Sequence, residues 1–139
     1  MKKALLILIQ FFVFFFAANG NEDSEEDSVL FFDKPIAQSM EFLFDIEEGL
    51  YPDQSTFKIK DFAFLSNERG ERAALVNITN TAAAPRTLAP KQIYGLFADG
   101  TYRRPSNSSD RVEGGKTNSV LLSFGVSKTP LVKLIVRNF

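Results

Sequence analysis

Hydrophobic and polar residues alternate with a period of two along several short stretches of the chain. The clearest stretch is Thr117–Val126, where polar positions alternate with apolar ones at Val120, Leu122, Phe124 and Val126. Successive side chains of a β-strand point to opposite faces of the sheet, so this alternation indicates a strand with one buried face. We therefore predict that these four apolar residues face the core and that the polar residues between them face solvent.

Weaker alternation, bounded by turn residues, predicts further strands. Within 56–65 the apolar spacing changes from two residues to three between Ile59 and Phe62. A β-bulge near Lys60 and Asp61 would restore a common inward face, because a bulge inserts one extra residue into a strand. The remaining predicted strands are 73–79, 91–98, 101–103 and 131–136.

The residues between the strands carry turn signals. Residues 67–70 predict a turn in which Gly70 takes a positive φ. The strand that follows it would direct Ala74, Val76 and Ile78 to one face.

Two other connections can be assigned from their residues. Asp99 and Gly100 are a two-residue hairpin signal. The stretch 82–90 contains Pro85 and Pro90, which are unfavourable in a central strand. We predict that this stretch carries the chain from one sheet to the other, in an all-β, antiparallel β-sandwich of about six to eight strands.

The segment before the first clear strand fits two interpretations. Asp33 can cap a helix with Pro35 in its first turn and Gly49 as its C-terminal stop. Alternation over 41–47 favours a strand there, with Leu43 as the exception. Whether 34–48 is strand or helix stays open at this point.

Residues 1–20 have the features of a secretory signal peptide. Lys2 and Lys3 precede an apolar run, and Ala18 and Gly20 place small residues at the cleavage site. The run is shorter than the roughly 20 residues that span a bilayer, which favours cleavage after Gly20 over a retained anchor. We predict a bacterial protein that is periplasmic or secreted.

An acidic segment follows the predicted cleavage site. Residues 21–28 contain five acids and nothing apolar, so they cannot bury surface to offset the entropy of ordering. We predict a disordered leader over 21–33 and a single domain over 34–139.

The composition excludes several kinds of chemistry. The chain has no Cys and no His, which removes disulfides, thiolate nucleophiles and the usual general base near neutral pH. Glu47 and Glu48 would point to opposite faces of a strand, so they do not form a catalytic pair. Asp99 and Asp110 lack the spacing of a calcium loop. We predict no enzyme activity, no cofactor and no metal site.

Charge is strongly segregated along the chain. Residues 21–53 hold eleven acids and one base, a net charge of −10, whereas residues 54–139 hold thirteen bases and six acids, a net charge of +7. The acidic segment either neutralises the basic sheet within the molecule or leaves it free for an anionic ligand. The candidate binding residues of this basic face are Tyr102, Arg103, Arg104, Arg111 and Lys116.

The segment 73–124 shares the pattern of a known class of domain in three stretches, the last of which continues to Val126. They are LVNITNT, LFADGTY and EGGKTNSVLLSFGV. With these stretches the chain resembles secreted bacterial immunoglobulin-like β-sandwich domains of unknown or accessory function. The resemblance implies a binding or scaffold module and carries over no catalytic residue.

These observations predict an exported, non-catalytic interaction or accessory module of the bacterial envelope, with another envelope protein as its partner. The alternative function is a binding module for an anionic glycan, lipid head group or nucleic acid at Tyr102–Arg104. An aromatic ring beside paired arginines allows stacking and bidentate contacts. We predict no sequence-specific recognition of nucleic acid.

Overall fold

The computed structural model describes residues 29–35, 51–107 and 110–139. Within these ranges the chain is all-β, and no described segment forms a helix long and apolar enough to cross a membrane. In chain order the described strands are β1 (Phe31–Phe32), β2 (Gln54–Ser55), β3 (Phe57–Ser66), β4 (Glu71–Asn80), β5 (Arg86–Thr87), β6 (Ile93–Phe97), β7 (Tyr102–Arg103), β8 (Arg111–Val112), β9 (Thr117–Val126) and β10 (Leu131–Asn138). A 3₁₀ turn at Pro90–Gln92 precedes β6.

The described strands form two four-stranded sheets and one small two-stranded sheet. The first sheet has the order β1-β3-β4-β9, and every pair in it is antiparallel. The second sheet has the order β2-β10-β6-β7, in which β2 is parallel to β10 and the other pairs are antiparallel. Strand β5 pairs with β8. The predicted all-β class and the antiparallel pairing are confirmed.

A tight turn joins β3 to β4, as the sequence predicts. Gly70 has a φ of +80°, and its N–H donates to the carbonyl of Asn67 at 3.0 Å. The Asn67 side chain accepts a hydrogen bond from the backbone N–H of Glu71 at 3.0 Å and so fixes the first residue of β4. The predicted β-bulge is also present, because the pairing of β3 with β4 shifts between Ile59 and Asp61.

Strand β9 shows the predicted alternation, with one departure at its end. Val120, Leu122 and Phe124 are buried. Val126 is 62% exposed, so the prediction that it faces the core is wrong. The pairing with β4 shifts just before this residue, where Gly125 has a φ of +76°. The irregularity breaks the period of two and turns the last side chain of the strand to solvent.

Both large sheets contribute to one hydrophobic core. Ala74, Val76 and Ile78 of β4 are at most 1% exposed, which confirms that they share an inward face. The buried core residues are Phe57, Ala74, Val76, Ile78, Leu88, Ile93, Phe97, Val112, Val120, Leu122, Phe124, Leu131 and Leu134. Because this set draws on β4 and β9 in one sheet and on β6 and β10 in the other, the two sheets pack face to face.

The segment after β4 carries the chain from the first sheet to the second, as predicted. It is anchored by the fully buried side chain of Asn80. The amide nitrogen donates to the carbonyls of Ala84 at 2.9 Å and Val112 at 3.0 Å. The amide oxygen accepts hydrogen bonds from the N–H of Ala82 at 3.0 Å and the hydroxyl of Thr56 at 3.1 Å. The buried amide is therefore fully hydrogen-bonded.

Strands β6 and β7 form the hairpin predicted around Asp99 and Gly100. The N–H of Phe97 donates to the carbonyl of Thr101, and the N–H of Gly100 donates to the carbonyl of Phe97, both at 2.9 Å. The loop therefore has three residues where the sequence predicts two. Three-residue loops are the next most common hairpin connection.

The first described residues belong to the first sheet. Strand β1 pairs with Leu65 and Ser66 at the end of β3, and the N–H of Asp33 donates to the carbonyl of Phe64 at 2.8 Å. The end of the predicted disordered leader, 21–33, is thus ordered by hydrogen bonds to a strand edge, and the prediction was wrong for its last three residues.

Several predictions fall on residues outside the described ranges. They are the signal peptide at 1–20, the acidic stretch 21–28, and the strand at 41–47 with most of its helical alternative. All of these stay predictions.

Candidate functional site

The five residues predicted to form a basic binding face lie on separate segments. Tyr102 and Arg103 form β7, Arg104 follows it, Arg111 begins β8 and Lys116 precedes β9. Tyr102 and Arg103 are half-buried, and the other three are exposed. What this face could bind depends on the contacts that the arginines already make.

Arg103 makes two contacts within the protein. Its Nη1 donates to the carbonyl of Val126 at 2.7 Å, and its guanidinium carbon lies 4.6 Å from the centroid of the Phe97 ring. The first contact occupies the edge of β9, and the second is a cation–π interaction. Arg103 therefore links the edges of the two sheets.

Arg104 is held by Tyr94 of β6. Its Nε donates to the Tyr94 hydroxyl at 3.0 Å, and its guanidinium carbon lies 5.4 Å from the ring centroid. Tyr94 is only 4% exposed, so its hydroxyl needs a partner within the protein. Arg111 forms an exposed ion pair with Glu113 at 3.5 Å. Each of the three arginines thus has a different partner in the molecule.

Asp99, one of the carboxylates weighed for calcium, serves the hairpin loop. Its Oδ1 accepts hydrogen bonds from the hydroxyl of Thr101 at 2.7 Å and from the N–H of Thr101 at 3.0 Å. These bonds, the hydroxyl first, hold the pKa of Asp99 below its ordinary value. Within the described ranges no three Asp, Glu, His or Cys side chains are grouped closely enough to hold a metal ion.

One flank of the two sheets is closed by the segment that follows β7. Strand β9 is the edge of the first sheet. The side chain of Asn107 donates to the carbonyl of Leu121 at 2.9 Å and accepts from the N–H of Ser123 at 2.8 Å. The N–H of Ser106 donates to the carbonyl of Ser123 at 2.8 Å. These bonds occupy backbone groups that an edge strand would otherwise leave free.

The opposite flank is not closed in this way. Strand β1 pairs with β3 only at the last two residues of β3, and β2 pairs with β10 only at the last two residues of β10. In the described part of the chain no other strand pairs with these two edges. The carbonyls of Phe57 and Phe64 accept hydrogen bonds from the Asn138 side chain and from the N–H of Asp33. We call residues 58–63 of β3 and 131–136 of β10, which lie between these contacts, the open flank. Its free N–H and carbonyl groups are a template for an additional strand.

A groove with a volume of about 540 Å³ lies along the open flank. It is lined by residues of both strands: Lys58, Ile59, Phe62, Lys133, Leu134, Ile135, Val136 and Asn138. Phe62 lies opposite the buried Val76 of β4, yet it is 47% exposed. Its ring packs against that of Phe64, with 5.0 Å between the centroids. An inward-facing aromatic residue is thus left partly uncovered at the flank.

Two of the residues that line this groove, Lys58 and Lys133, are basic, and Lys60 and Arg137 are next to lining residues in the same strands. All four are exposed and make no ion pair among the described residues. The sole acidic residue within β3 and β10 is Asp61, and the amide of Asn77 donates a hydrogen bond to it. The open flank therefore combines an apolar floor with a positively charged rim.

The chain matches no model of a known protein family, no curated protein and no solved structure. What the protein does must therefore be argued from its own surfaces. In the described part of the chain, Arg103, Arg104 and Arg111 already have partners, whereas the open flank combines two strand edges that no described strand pairs with and a partly apolar groove.

The sequence interpretation did not identify the open flank, because the edge position of a strand depends on which strands pair across the fold. One signal was available. Lys58 and Lys60 interrupt β3, and Lys133 interrupts β10. Lysine within a strand is typical of an edge, where it discourages unspecific pairing.

Proposed function

We propose that the chain is an exported, non-catalytic interaction module of the bacterial envelope that binds another protein along the open flank. The observation that carries this proposal is the pair of unpaired strand edges beside one apolar groove. A protein segment in extended conformation satisfies such an edge with main-chain hydrogen bonds and fills the groove with alternate side chains.

The strand order supports an immunoglobulin-like fold. Strands β3-β4-β9 and β10-β6-β7 follow the chain order of strands A, B and E in one sheet and F, C and C′ in the other. In that fold a last strand, G, pairs with F, which corresponds to β10. Among the described residues only the two-residue β2 lies at this position. The open flank is thus the place where that fold would carry one more strand.

Binding of an anionic ligand around Tyr102–Arg104 is the less favoured function. Arg103 donates to Val126 and Arg104 donates to Tyr94, so a ligand would have to replace contacts that these side chains already make. Within the described ranges, the basic side chains beside the open flank make no ion pair that a ligand would have to replace. Export is supported by the signal-like residues 1–20.

Site-specific photocrosslinking in the producing bacterium tests this function. A benzophenone amino acid is placed at Phe62 of the open flank or at Leu121 on the outer face of the first sheet, two positions that are 47% and 46% exposed. We expect a discrete crosslinked product in the envelope fraction from position 62 alone. The product should be lost when Lys58→Glu and Lys133→Glu are added. Equal products from both positions, or none from position 62, would contradict the proposal.

A further inference from the structure

The proposed function leaves open what kind of protein segment lies on the open flank, and the edges of the flank specify it further. Resting on that function, we propose that the flank binds an acidic, extended segment of another envelope protein, which pairs with β10 and directs apolar side chains into the groove. Such a segment is recognised by its pattern, in which acidic and apolar residues alternate. The regular edge of β10, the apolar groove and the basic rim each contribute to this recognition.

Of the two edges, β10 is the better template for an added strand. Strand β3 has its β-bulge between Ile59 and Asp61, in the middle of its free edge. A bulge disrupts the regular spacing of backbone groups and so hinders pairing at an edge. The pairing of β10 with β6 is regular from Lys133 to Val136, and no described strand covers the other side of these residues. The added strand therefore joins the second sheet through β10.

The ends of the free β10 edge limit the length of the bound segment. Strand β2 already pairs with Arg137 and Asn138, so the bound segment lies beside the residues that precede them. The free stretch, 131–136, has six residues and spans about 20 Å at 3.3 Å per residue. Tyr51 lies beside the last residues of this stretch, because it lines a depression with Ile135 and Val136. The flank thus accommodates a segment of about six residues, one end of which lies near Tyr51.

The groove specifies apolar side chains at every second position of the segment. A strand beside β10 directs alternate side chains towards the first sheet, over the groove. There Phe62 is 47% exposed, and Ile59, Leu134 and Val136 also line the groove. Apolar side chains of the segment remove this surface from water, which stabilises the complex.

The remaining side chains of the segment meet basic residues. Lys133 is exposed on the outer face of β10, and an acidic side chain beside it on the added strand forms a favourable cross-strand pair. Lys58 lines the groove from β3, and Lys60 lies two residues further along the same edge. A segment with basic residues at these positions is repelled by the same lysines, so the rim discriminates between segments by their charge.

Fluorescence anisotropy with synthetic peptides on the mature chain, residues 21–139, tests the inference. The probe is a labelled hexapeptide in which Glu alternates with Val, and its matched control has Lys in place of Glu. The Glu peptide should bind at least about tenfold more tightly than the Lys peptide at about 50 mM salt. Lys58→Glu with Lys133→Glu should reverse this preference.

The control variant is Arg86→Glu with Lys116→Glu, which changes the net charge equally on exposed residues away from the open flank. It should retain the preference for the Glu peptide, because the lysines of the flank are unchanged. An unchanged unfolding midpoint checks that each variant folds.

Two N-methylated forms of the Glu peptide test whether its backbone pairs with β10. One form carries methyl groups on the nitrogens of the Glu residues, and the other carries them on the nitrogens of the Val residues. Successive N–H groups of a strand point to opposite sides, so only one form keeps the N–H groups that face β10. One form should therefore bind about tenfold or more weakly, and the other should bind like the parent peptide. Because the Val side chains face the groove in either direction, this result also shows whether the segment runs parallel or antiparallel to β10.

Equal binding of the Glu and Lys peptides, or equal binding of the two methylated forms, would overturn the inference. So would a crosslink from position 62 to residues 36–50 of this chain, identified by mass spectrometry of the digested product, because the flank would then have a different occupant. If the crosslink leads to another envelope protein whose linked segment lacks the acidic pattern, the proposed function stands and the inference fails. If no flank-dependent crosslink forms, the proposed function fails, whatever the peptides do.

Discussion

Asn80 is the residue on which the passage between the two sheets depends. It lies at the end of β4, and its buried amide holds carbonyls of the crossover and of β8 together. Asparagine fits because one side chain offers two donors and an acceptor with two lone pairs. The sequence predicts a connection between the sheets just after this residue, but it does not reveal that the amide binds the carbonyl of Val112, which lies 32 residues further along the chain.

Asn80→Ala should lower the free energy of unfolding by about 2–3 kcal/mol, because it leaves the buried carbonyl of Val112 without a donor and removes the bond to the carbonyl of Ala84. Urea unfolding followed by circular dichroism measures the change. Asn118→Ala, on the exposed face of β9, is the matched control and should cost less than about 0.5 kcal/mol. Similar losses for both variants would mean that the buried amide adds nothing specific.

For Arg103 and Arg104, the sequence predicts the type of interaction but not the residues with which they interact. An aromatic residue beside two arginines predicts stacking and bidentate contacts, and cation–π contacts are present. The rings, however, are Phe97 and Tyr94 of the same molecule. The residue type determines which interactions a side chain can make. Which ring each arginine contacts depends on the pairing of β6 with β7.

Among the elements, β9 was the most predictable from sequence. Its bounds are those of the alternating stretch, and three of its four apolar positions are buried. A strand buried on one face carries the period of two in full, whereas the two-residue strands β2, β5 and β8 are too short to carry any period. Strand β2 pairs with the longer β10, whereas β5 and β8 pair with each other, so all three depend on a partner that is distant in sequence.

Leu122→Ala should destabilise the protein by about 2–5 kcal/mol, because it removes most of a fully buried side chain from the core between the sheets. Ser123→Ala should cost less than about 0.5 kcal/mol, since the hydrogen bonds recorded for Ser123 use its backbone. Thermal or chemical unfolding of both variants checks the facing. Equal losses would show that the alternation of β9 is assigned to the wrong faces.

At the scale of the whole molecule, the two flanks are unlike. One is occupied by the segment that follows β7, and the other exposes two edges and a basic rim. The segregation of charge along the chain was evident from the sequence, and the folded domain concentrates part of the positive charge beside the open flank. The flank itself was not evident, because it results from strands of both sheets that end beside each other.

Deleting residues 21–28 removes five negative charges and none of the described strands. The shortened protein should be retained more strongly on a heparin column than the mature chain at about 50 mM salt. The difference should shrink towards about 500 mM, where exposed charges are screened. Identical retention of the two forms at low salt would show that the acidic segment does not shield the basic surface.

The order of the strands along the chain has a consequence for the time at which the protein folds. The hydroxyls of Thr79 and Thr117 lie 2.7 Å apart although the two residues are separated by 38 positions, and β10 completes the second sheet later still. Neither sheet can close until the final strands have left the ribosome. Folds dominated by such distant pairings typically form in about milliseconds to seconds. If the chain is exported as proposed, this slow folding would keep the polypeptide unfolded until it has crossed the membrane.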